Sequence, residues 1–284
     1  MDRLAGPEFE RKLLEFLSED RGSSDVTTET TVPPDARAAG RIVARTECVV
    51  SGLPVARRVF ELLDPGLVWN EDAAAGSRVP AGATLARLSG KARAILTAER
   101  VALNLLQRMC GIATATRRQV EAVAGTGCRI LDTRKTAPGL RVFDRMAVRD
   151  GGGGNHRYDL SERVLIKDNH RGIAGGIERA VRKARSGARA GMRIEVEVET
   201  EEQLREALAA GADEILIDNQ TPETVARFCR IARERPNPPT IEASGNIRLE
   251  NVHAYALAGV HAVSVGALTH SVAAADISLE IEPS

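Results

Sequence analysis

Apolar positions along the chain follow two rhythms, and the change between them predicts two kinds of architecture. Within Phe9–Ser18, Leu13, Leu14 and Leu17 recur at helical spacing, whereas the Glu19–Thr31 stretch is polar and reads as a loop. From Gly40 to Leu88 the pattern becomes β-rich. Short apolar runs over 41–46, 47–50, 67–69 and 84–88 are broken by Gly52, Gly76, Pro80 and Gly82, and 57–63 predicts a helix packed on this sheet. A long helix is expected from Thr97 towards Val123, with Leu96, Leu103 and Leu106 near one stripe and Arg100 and Asn104 one turn apart on a polar one.

Beyond Cys128 the rhythm is strand–helix alternation. Apolar runs start near Arg129, Val164, Arg193, Glu214, Thr240 and Ala262, and helices are predicted over 177–185, 201–210, 222–233 and 249–258. Thr200 and Thr221-Pro222 supply helix starts, and Gly211 and Gly259 supply stops. Units of this kind build a parallel sheet covered by helices. Six strands are fewer than a complete eightfold barrel needs. The expectation is an open, incomplete α/β barrel, with a doubly wound open sheet as the competing arrangement.

Composition narrows the function classes. With 43% hydrophobic and 27% charged residues and zero formal net charge, the chain has the balance of a soluble globular protein rather than of a nucleic-acid or membrane-surface binder. No apolar run approaches the ~18 residues of a membrane span. The opening Met1-Asp-Arg-Leu-Ala-Gly-Pro7 lacks a leader pattern, and four scattered cysteines without a Cys-x-x-Cys pair suit reduced thiols, so a cytoplasmic location is expected. The neutrality hides an asymmetry: residues 195–223 hold ten acidic side chains against Arg205 alone, while 134–167 hold eight Arg or Lys against four Asp or Glu. No metal-ligand spacing of histidines and no nucleophilic triad is legible.

Parallel α/β folds carry their chemistry at the carboxyl ends of the strands. Those ends read Arg134-Lys135, Lys167, Glu197, Asp218, Ser244-Gly245 and Gly266: cations first, carboxylates next, small loops last. Arginine forks and lysine point charges suit a small, multiply anionic ligand. Alternation in Ile194-Glu-Val-Glu-Val-Glu199 puts the glutamates on one face, towards the barrel interior, where Glu195 is expected to pair with interior cations and Glu197, nearer the mouth, to be functional. The glycines at 151–154 suit a mobile lid, a close-approach loop or, equally well, a flexible connection. Lys135 or Lys167 at a strand end also admits a Schiff-base barrel aldolase.

Taken together, Asp25-Val-Thr-Thr28, Ala98-Glu-Arg100 with Asn104, Asp132-Thr-Arg-Lys-Thr136, Gly151-Gly-Gly with Asn155-His-Arg157, Leu165-Ile-Lys-Asp-Asn-His170, Glu195-Val-Glu197, Ile217-Asp-Asn219, Ser244-Gly245 and Ser264-Val-Gly-Ala-Leu-Thr-His-Ser271 resemble the quinolinate phosphoribosyltransferases. The resemblance implies an N-terminal α/β sandwich domain, taken as 1–113, followed by an open α/β barrel, 114–271, that carries most of the active site, with the tail 272–284 packing back on the first domain. It implies transfer of phosphoribosyl from phosphoribosyl pyrophosphate to quinolinate with decarboxylation, giving nicotinate mononucleotide, pyrophosphate and CO2, in de novo NAD biosynthesis. Arg134, His156, Arg157 and Lys167 would bind the quinolinate carboxylates and line the pocket, with Arg100 joining them from the partner of a homodimer, or of a higher homo-oligomer. Lys135 and Lys167 would face phosphoribosyl pyrophosphate, Glu197 and Asp218 the ribose hydroxyls and Mg2+, and Ser244, Gly245 and Gly266 the 5′-phosphate; no organic cofactor is implied. Three positions depart from the family pattern: Asn246, where a second glycine is usual, Ser24 and His261. Asn246 leaves open a paralogue acting on another aromatic acid.

Overall fold

The computed structural model describes residues 6–283. The absence of a leader expected at the N-terminus concerns residues that mostly lie outside those described. The chain begins with α1 (Pro7–Arg21) and α2 (Val26–Thr31), then β1 (Arg37–Ala44), β2 (Cys48–Val49), α3 (Leu53–Leu63), β3 (Val68–Glu71), β4 (Arg78–Val79) and β5 (Thr84–Lys91), and runs into the long α4 (Ala92–Ala122). There follow β6 (Arg129–Leu131), α5 (Arg141–Asp150), β7 (Val164–Ile166), α6 (Asp168–Ala174), α7 (Ile177–Gly187), β8 (Ile194–Val198), α8 (Glu201–Ala209), β9 (Glu214–Asp218), α9 (Pro222–Arg233), β10 (Thr240–Ser244), α10 (Val252–Leu257), β11 (Ala262–Ser264), α11 (Ala267–His270) and β12 (Ile277–Pro283). Two compact units result. One holds the chain up to Arg117, Thr136–Gly152 and the chain from Ser271; the other holds Arg118–Lys135 and Gly153–His270.

The first unit is built on an antiparallel sheet of order β12-β1-β5-β3, with β2 and β4 paired beside it. Its core joins Phe9, Leu13 and Leu17 of α1, Val59 and Phe60 of α3, Ile95, Leu106 and Met109 of α4, and Ile42 and Leu85 of the sheet. The tail belongs here because β12 pairs with β1 from Ala38 to Ala44. Part of the stretch expected to be a loop is helical. Val and Thr are weak helix formers, but Asp25 caps α2, its Oδ1 accepting from the Thr28 N–H at 3.0 Å and its Oδ2 from the Thr97 hydroxyl at 2.8 Å. The Thr28 amide bond is the main reason the Asp25 carboxyl sits below its usual range.

Helix α5 joins this unit through one aromatic and one ionic anchor. The Phe143 ring lies 5.7 Å from that of Phe9 and 6.1 Å from that of Phe16. Asp144, fully buried, accepts a two-pronged bond from Arg108, Nε to Oδ1 at 2.7 Å and a terminal nitrogen to Oδ2 at 2.8 Å.

The second unit is a six-stranded parallel sheet of order β6-β11-β10-β9-β8-β7. That order decides between the two expected arrangements. Strands β7 to β11 are neighbours in sequence order, and the first strand, β6, bonds to the last, β11. A doubly wound sheet keeps its first strand inside, whereas this one has wrapped round until its ends face each other across a gap between β6 and β7. It is an open barrel. Neighbouring helices α7, α8, α9 and α10 pack in sequence. Thr200 and Thr221 cap α8 and α9, and Gly211 and Gly259 follow α8 and α10 with left-handed φ of 77° and 93°.

Removing a buried partner from an ion pair leaves the other charge uncompensated, at a cost of roughly 3–5 kcal/mol. Arg108 keeps 22% of its side-chain surface, which sets Asp144→Ala at the lower end. Chemical denaturation should show Asp144→Ala less stable by about 3 kcal/mol; a loss below about 1 kcal/mol would remove the fork as an anchor of α5.

Candidate active site

Parallel neighbours in register share a face of the sheet. Glu195 lies beside Glu214, Glu197 and Glu242 beside Leu216, and Ser244 beside Asp218, so these side chains line the inner wall. Glu195, Glu197, Glu214 and Glu242 are all buried. The alternation read for β8 holds: both of its glutamates point inward, and Glu195 has interior cations for company. His156 Nε2 is 3.2 Å from a Glu195 oxygen and 3.6 Å from Glu242 Oε1, and an Arg163 guanidinium nitrogen is 3.7 Å from Glu195. Arg163 also grips Glu214, whose other oxygen is 2.5 Å from Arg193 Nε, and the Ser264 hydroxyl donates to Glu242.

Residues 155–157 are drawn into this interior by Asp132, which is fully buried just after β6. Its two oxygens accept from the Asn155 side-chain amide and the His156 N–H, each at 2.7 Å. Gly154 makes the approach possible, because it pairs with Leu131 as a parallel bridge and a Cβ there would come within 2.7 Å of the Leu131 side chain. The close-approach reading of the glycine run is therefore the one realised. His156 is turned inward: Nδ1 accepts from the Arg157 N–H at 2.8 Å, so the neutral ring carries its proton on the Nε2 that faces the carboxylates. Arg157 donates to the Arg163 carbonyl at 3.0 Å.

At the mouth the strand ends assemble a second set of charges. Lys167 donates to Glu197 Oε2. The Asp218 carboxyl is pushed above its usual range by burial and by the charge of Glu197, with Lys167 and Lys135 pulling it back. Glu197, Lys167 and Lys135 thus all lie within electrostatic reach of Asp218. Lys135 is held by its carbonyl, which accepts from Thr269 at 2.8 Å, and its chain passes over Gly266, where a Cβ would come 3.1 Å from its Cδ. Burial pulls the Arg157 guanidinium below its usual range, and repulsion from Arg134 adds to this, with Glu195 opposing. Two guanidiniums crowded together in this way favour an anion between them. Ser244 and Gly245 end β10 beside Asp218. Arg100 lies exposed on α4 in the first unit.

Sequence reasoning did not assign Asp132, Arg163, Glu242 or Ser264. Glu242 was findable, as a lone carboxylate at an inward position of Thr240-Ile-Glu-Ala-Ser244. His156, Glu195 and Glu242 place ligand atoms within 4.8 Å of one another, a grouping that the spacing of histidines concealed. Arg163 approaches Glu195 to 3.7 Å and the Ser264 hydroxyl donates to Glu242. Glu197 and Asp218 suit a hard cation better: both offer carboxylate oxygens at the open end of the barrel. No helix among the described residues is long and apolar enough to cross a membrane.

Residues 25–110 match the family model described as quinolinate phosphoribosyl transferase, N-terminal domain, and residues 112–280 match its C-terminal domain. The chain is 43% identical over 272 residues to the probable nicotinate-nucleotide pyrophosphorylase (carboxylating) of Bacillus subtilis, an alignment spanning 95% of this chain and 93% of that one. It is 42% identical over 282 residues to the chloroplastic carboxylating nicotinate-nucleotide pyrophosphorylase of Arabidopsis thaliana, spanning 94% and 80%. Among solved structures, the nicotinate-nucleotide pyrophosphorylase of Francisella tularensis superposes with a TM-score of 0.91 at 37% identity over 98% of each chain. That of Ehrlichia chaffeensis gives 0.92 at 33% identity, over 98% of this chain and 100% of that one.

The buried cluster makes stability depend on pH. Burial and the charge of Glu195 raise the Glu242 carboxyl to about 7 against the restraint of His156 and Ser264. Burial works against a charged His156, but Glu195 and Glu242 outweigh it and raise its pKa. Both groups hold protons more tightly folded than unfolded. The stability they contribute is therefore greatest at low pH and is lost as pH rises, from about 4.5 to 7 for Glu242 and above 6.5 for His156. Glu242→Gln mimics the protonated carboxyl, so the melting temperature of the wild type should fall relative to that of Glu242→Gln between pH 5 and 8. A pH-independent difference would contradict the assignment.

Proposed function

The chain belongs to the quinolinate phosphoribosyl transferase family, and from that membership we propose that it transfers phosphoribosyl from phosphoribosyl pyrophosphate to quinolinate, releasing pyrophosphate and CO2 and forming nicotinate mononucleotide for NAD synthesis. One observation carries the reading at the level of residues: crowded guanidiniums, Arg134 and Arg157, share a unit with a Lys135–Lys167–Glu197–Asp218 quartet at the strand ends. The first pair suits a dicarboxylate, the second a sugar diphosphate.

The pyridine nitrogen has a lone pair and no proton to lose, so attack on C1′ needs no general base. The N–C1′ bond forms as the C1′–O bond breaks, and pyrophosphate leaves with the electron pair. Positive charge building on the ribose is stabilised by Glu197 and Asp218, and negative charge on the leaving group by Lys135 and Lys167. The alkylated ring, now cationic, accepts the electrons of the C2–carboxylate bond as CO2 departs, and C2 then takes a proton. Arg134 and Arg157 hold the carboxylates, and His156, whose Nδ1 accepts from the Arg157 N–H and whose Nε2 faces Glu195, keeps Arg157 in place. Ser244, Gly245 and Gly266 form the cradle for the 5′-phosphate.

Mg2+ arriving with phosphoribosyl pyrophosphate would neutralise diphosphate charge, and Glu197 and Asp218 are the side chains suited to it. A homodimer completes the site with the partner subunit's Arg100. Four buried, unpaired cysteines fit a reducing cytoplasm.

Mass spectrometry of incubations with phosphoribosyl pyrophosphate, Mg2+ and each of quinolinate, nicotinate and phthalate separates this reading from a paralogue acting on another acid. Quinolinate should be the acid consumed with CO2 release, and preference for another acid would sink the reading. Lys135→Ala should lower kcat by roughly 10²-fold or more with the fold unchanged by circular dichroism. Mixing inactive Arg100→Ala and Lys135→Ala chains should restore part of the activity; no recovery would argue against shared sites.

A further inference from the structure

Among the described residues, two that are not glycine adopt a left-handed backbone: Asn219 (φ 53°) and Asn246 (φ 52°). Such conformations are disfavoured for a residue with a Cβ, asparagine tolerates them best, and they gather where function holds them. These two are bonded to each other. Asn246 Nδ2 donates to Asn219 Oδ1 at 3.1 Å, and Asn219 Nδ2 donates to Asp218 Oδ2 at 2.8 Å. The Asn219 backbone N–H donates to the Ser244 carbonyl at 3.0 Å, tying the ends of β9 and β10 together.

Gly245 is shaped by the same contact, since a Cβ there would lie 2.2 Å from Asn219 Oδ1 and 2.7 Å from its Cγ. The Asn219 side chain therefore occupies the space that a larger residue at 245 would fill. Asn246 is fixed in turn: its carbonyl accepts from Asn251 Nδ2 at 3.3 Å, and Asn251 Oδ1 accepts from the Arg248 N–H at 2.8 Å. Its side-chain amide is committed to Asn219, away from any phosphate held by the loop's backbone. A glycine at 246 would meet the same φ without strain. What asparagine adds is the bond to Asn219.

We propose that Asn246 is a positioning residue for Asp218, acting through Asn219. The chain of amides binds one carboxylate oxygen, Oδ2, and so aims the other at the ribose hydroxyls and metal-bearing diphosphate of the substrate. This rests on the phosphoribosyl-transfer reading above. The Asn246 side chain supplies orientation to a carboxylate across the loop.

The test uses the full chain with Asn246→Gly, which relieves backbone strain and removes only the side chain, and Asn246→Asp, whose carboxylate cannot donate to Asn219. Side-chain amide NMR signals of Asn219, recorded without substrate, read the bonds alone. In Asn246→Gly they should move towards solvent-exposed values, and unchanged signals would overturn the proposal. Calorimetry with Mg2+ and phosphoribosyl pyrophosphate should show affinity weakened by roughly fivefold to tenfold in both variants. KM for quinolinate should stay within about twofold and the melting temperature of Asn246→Gly should not fall. Ribose 5-phosphate without Mg2+ should bind both variants like the wild type. Equal weakening for ribose 5-phosphate would mean that Asn246 touches phosphate directly, and would overturn the positioning role. A wild type that turns over no acid with phosphoribosyl pyrophosphate would instead overturn the functional reading, and the role with it, whatever the NMR shows.

Discussion

Burying negative charge inside the barrel is the constraint on which the second unit depends. Glu195, Glu197, Glu214 and Glu242 all lose nearly all contact with water, and taking an ionised carboxylate out of water costs several kcal/mol unless charge and hydrogen bonds replace the lost hydration. Helices outside the sheet cannot supply that compensation, because they face the apolar side of each strand. It comes from the connection between β6 and β7, which brings Arg163 and His156 to Glu195, and from Lys167 at the end of β7. The gap that keeps the barrel open lies between these same two strands. A segment carrying Asn155-His156-Arg157 can enter there, and the carboxylates give it reason to.

The support and the site are consequently one construction read at two depths. Deep in the barrel, Asp132 and His156 fix the backbone around 155–157. Nearer the mouth the same segment delivers Arg157 beside Arg134, and the strands that carry the buried glutamates end in Glu197 and Asp218. Each element enters the site rigidly because its root is hydrogen-bonded below. Catalysis by preorganised charge requires that, since groups free to relax around the ground state would give little differential stabilisation of the transition state.

Much of this could be read from the chain alone, for a physical reason. The starts of β6, β7, β9, β10 and β11 were marked by apolar runs near Arg129, Val164, Glu214, Thr240 and Ala262, and in parallel sheets the chemistry must follow such runs. The alternation in Ile194–Glu199 settled which side chains point inward. Elements held by tertiary contacts left weaker traces. Helix α2 is six residues of Val, Thr and Glu that stand because Asp25 caps them and Thr97 holds the cap. Helix α5 follows Pro138-Gly139, and its apolar face, Phe143, Ala147 and Val148, is short enough to pass for a loop. Helix α6 buries no residue, so it has no periodicity to show. The partners of His156 were beyond reach in principle: Glu195 and Glu242 lie 39 and 86 positions away, and only the order of strands decides that they meet.

That last point bears on how short matching words should be interpreted. Asn155-His156-Arg157 alone suggests a polar patch facing a ligand, with each side chain an independent contact. In the fold the three residues divide the work: Asn155 binds Asp132, His156 faces the buried carboxylates, and Arg157 donates to the Arg163 carbonyl within electrostatic reach of Arg134. The division follows from the closeness of consecutive residues, which cannot all point the same way, and from the two inward glutamates, Glu195 and Glu242, that claim the middle one. Under the reading proposed above, a substitution at any of the three would disturb ligand binding, yet only Arg157 need touch the ligand. Loss of activity on mutation therefore cannot by itself separate contact from support. The distinction has to come from the direction in which each side chain faces: for His156, Nδ1 accepts from the Arg157 N–H and Nε2 is turned towards the buried Glu195 and Glu242.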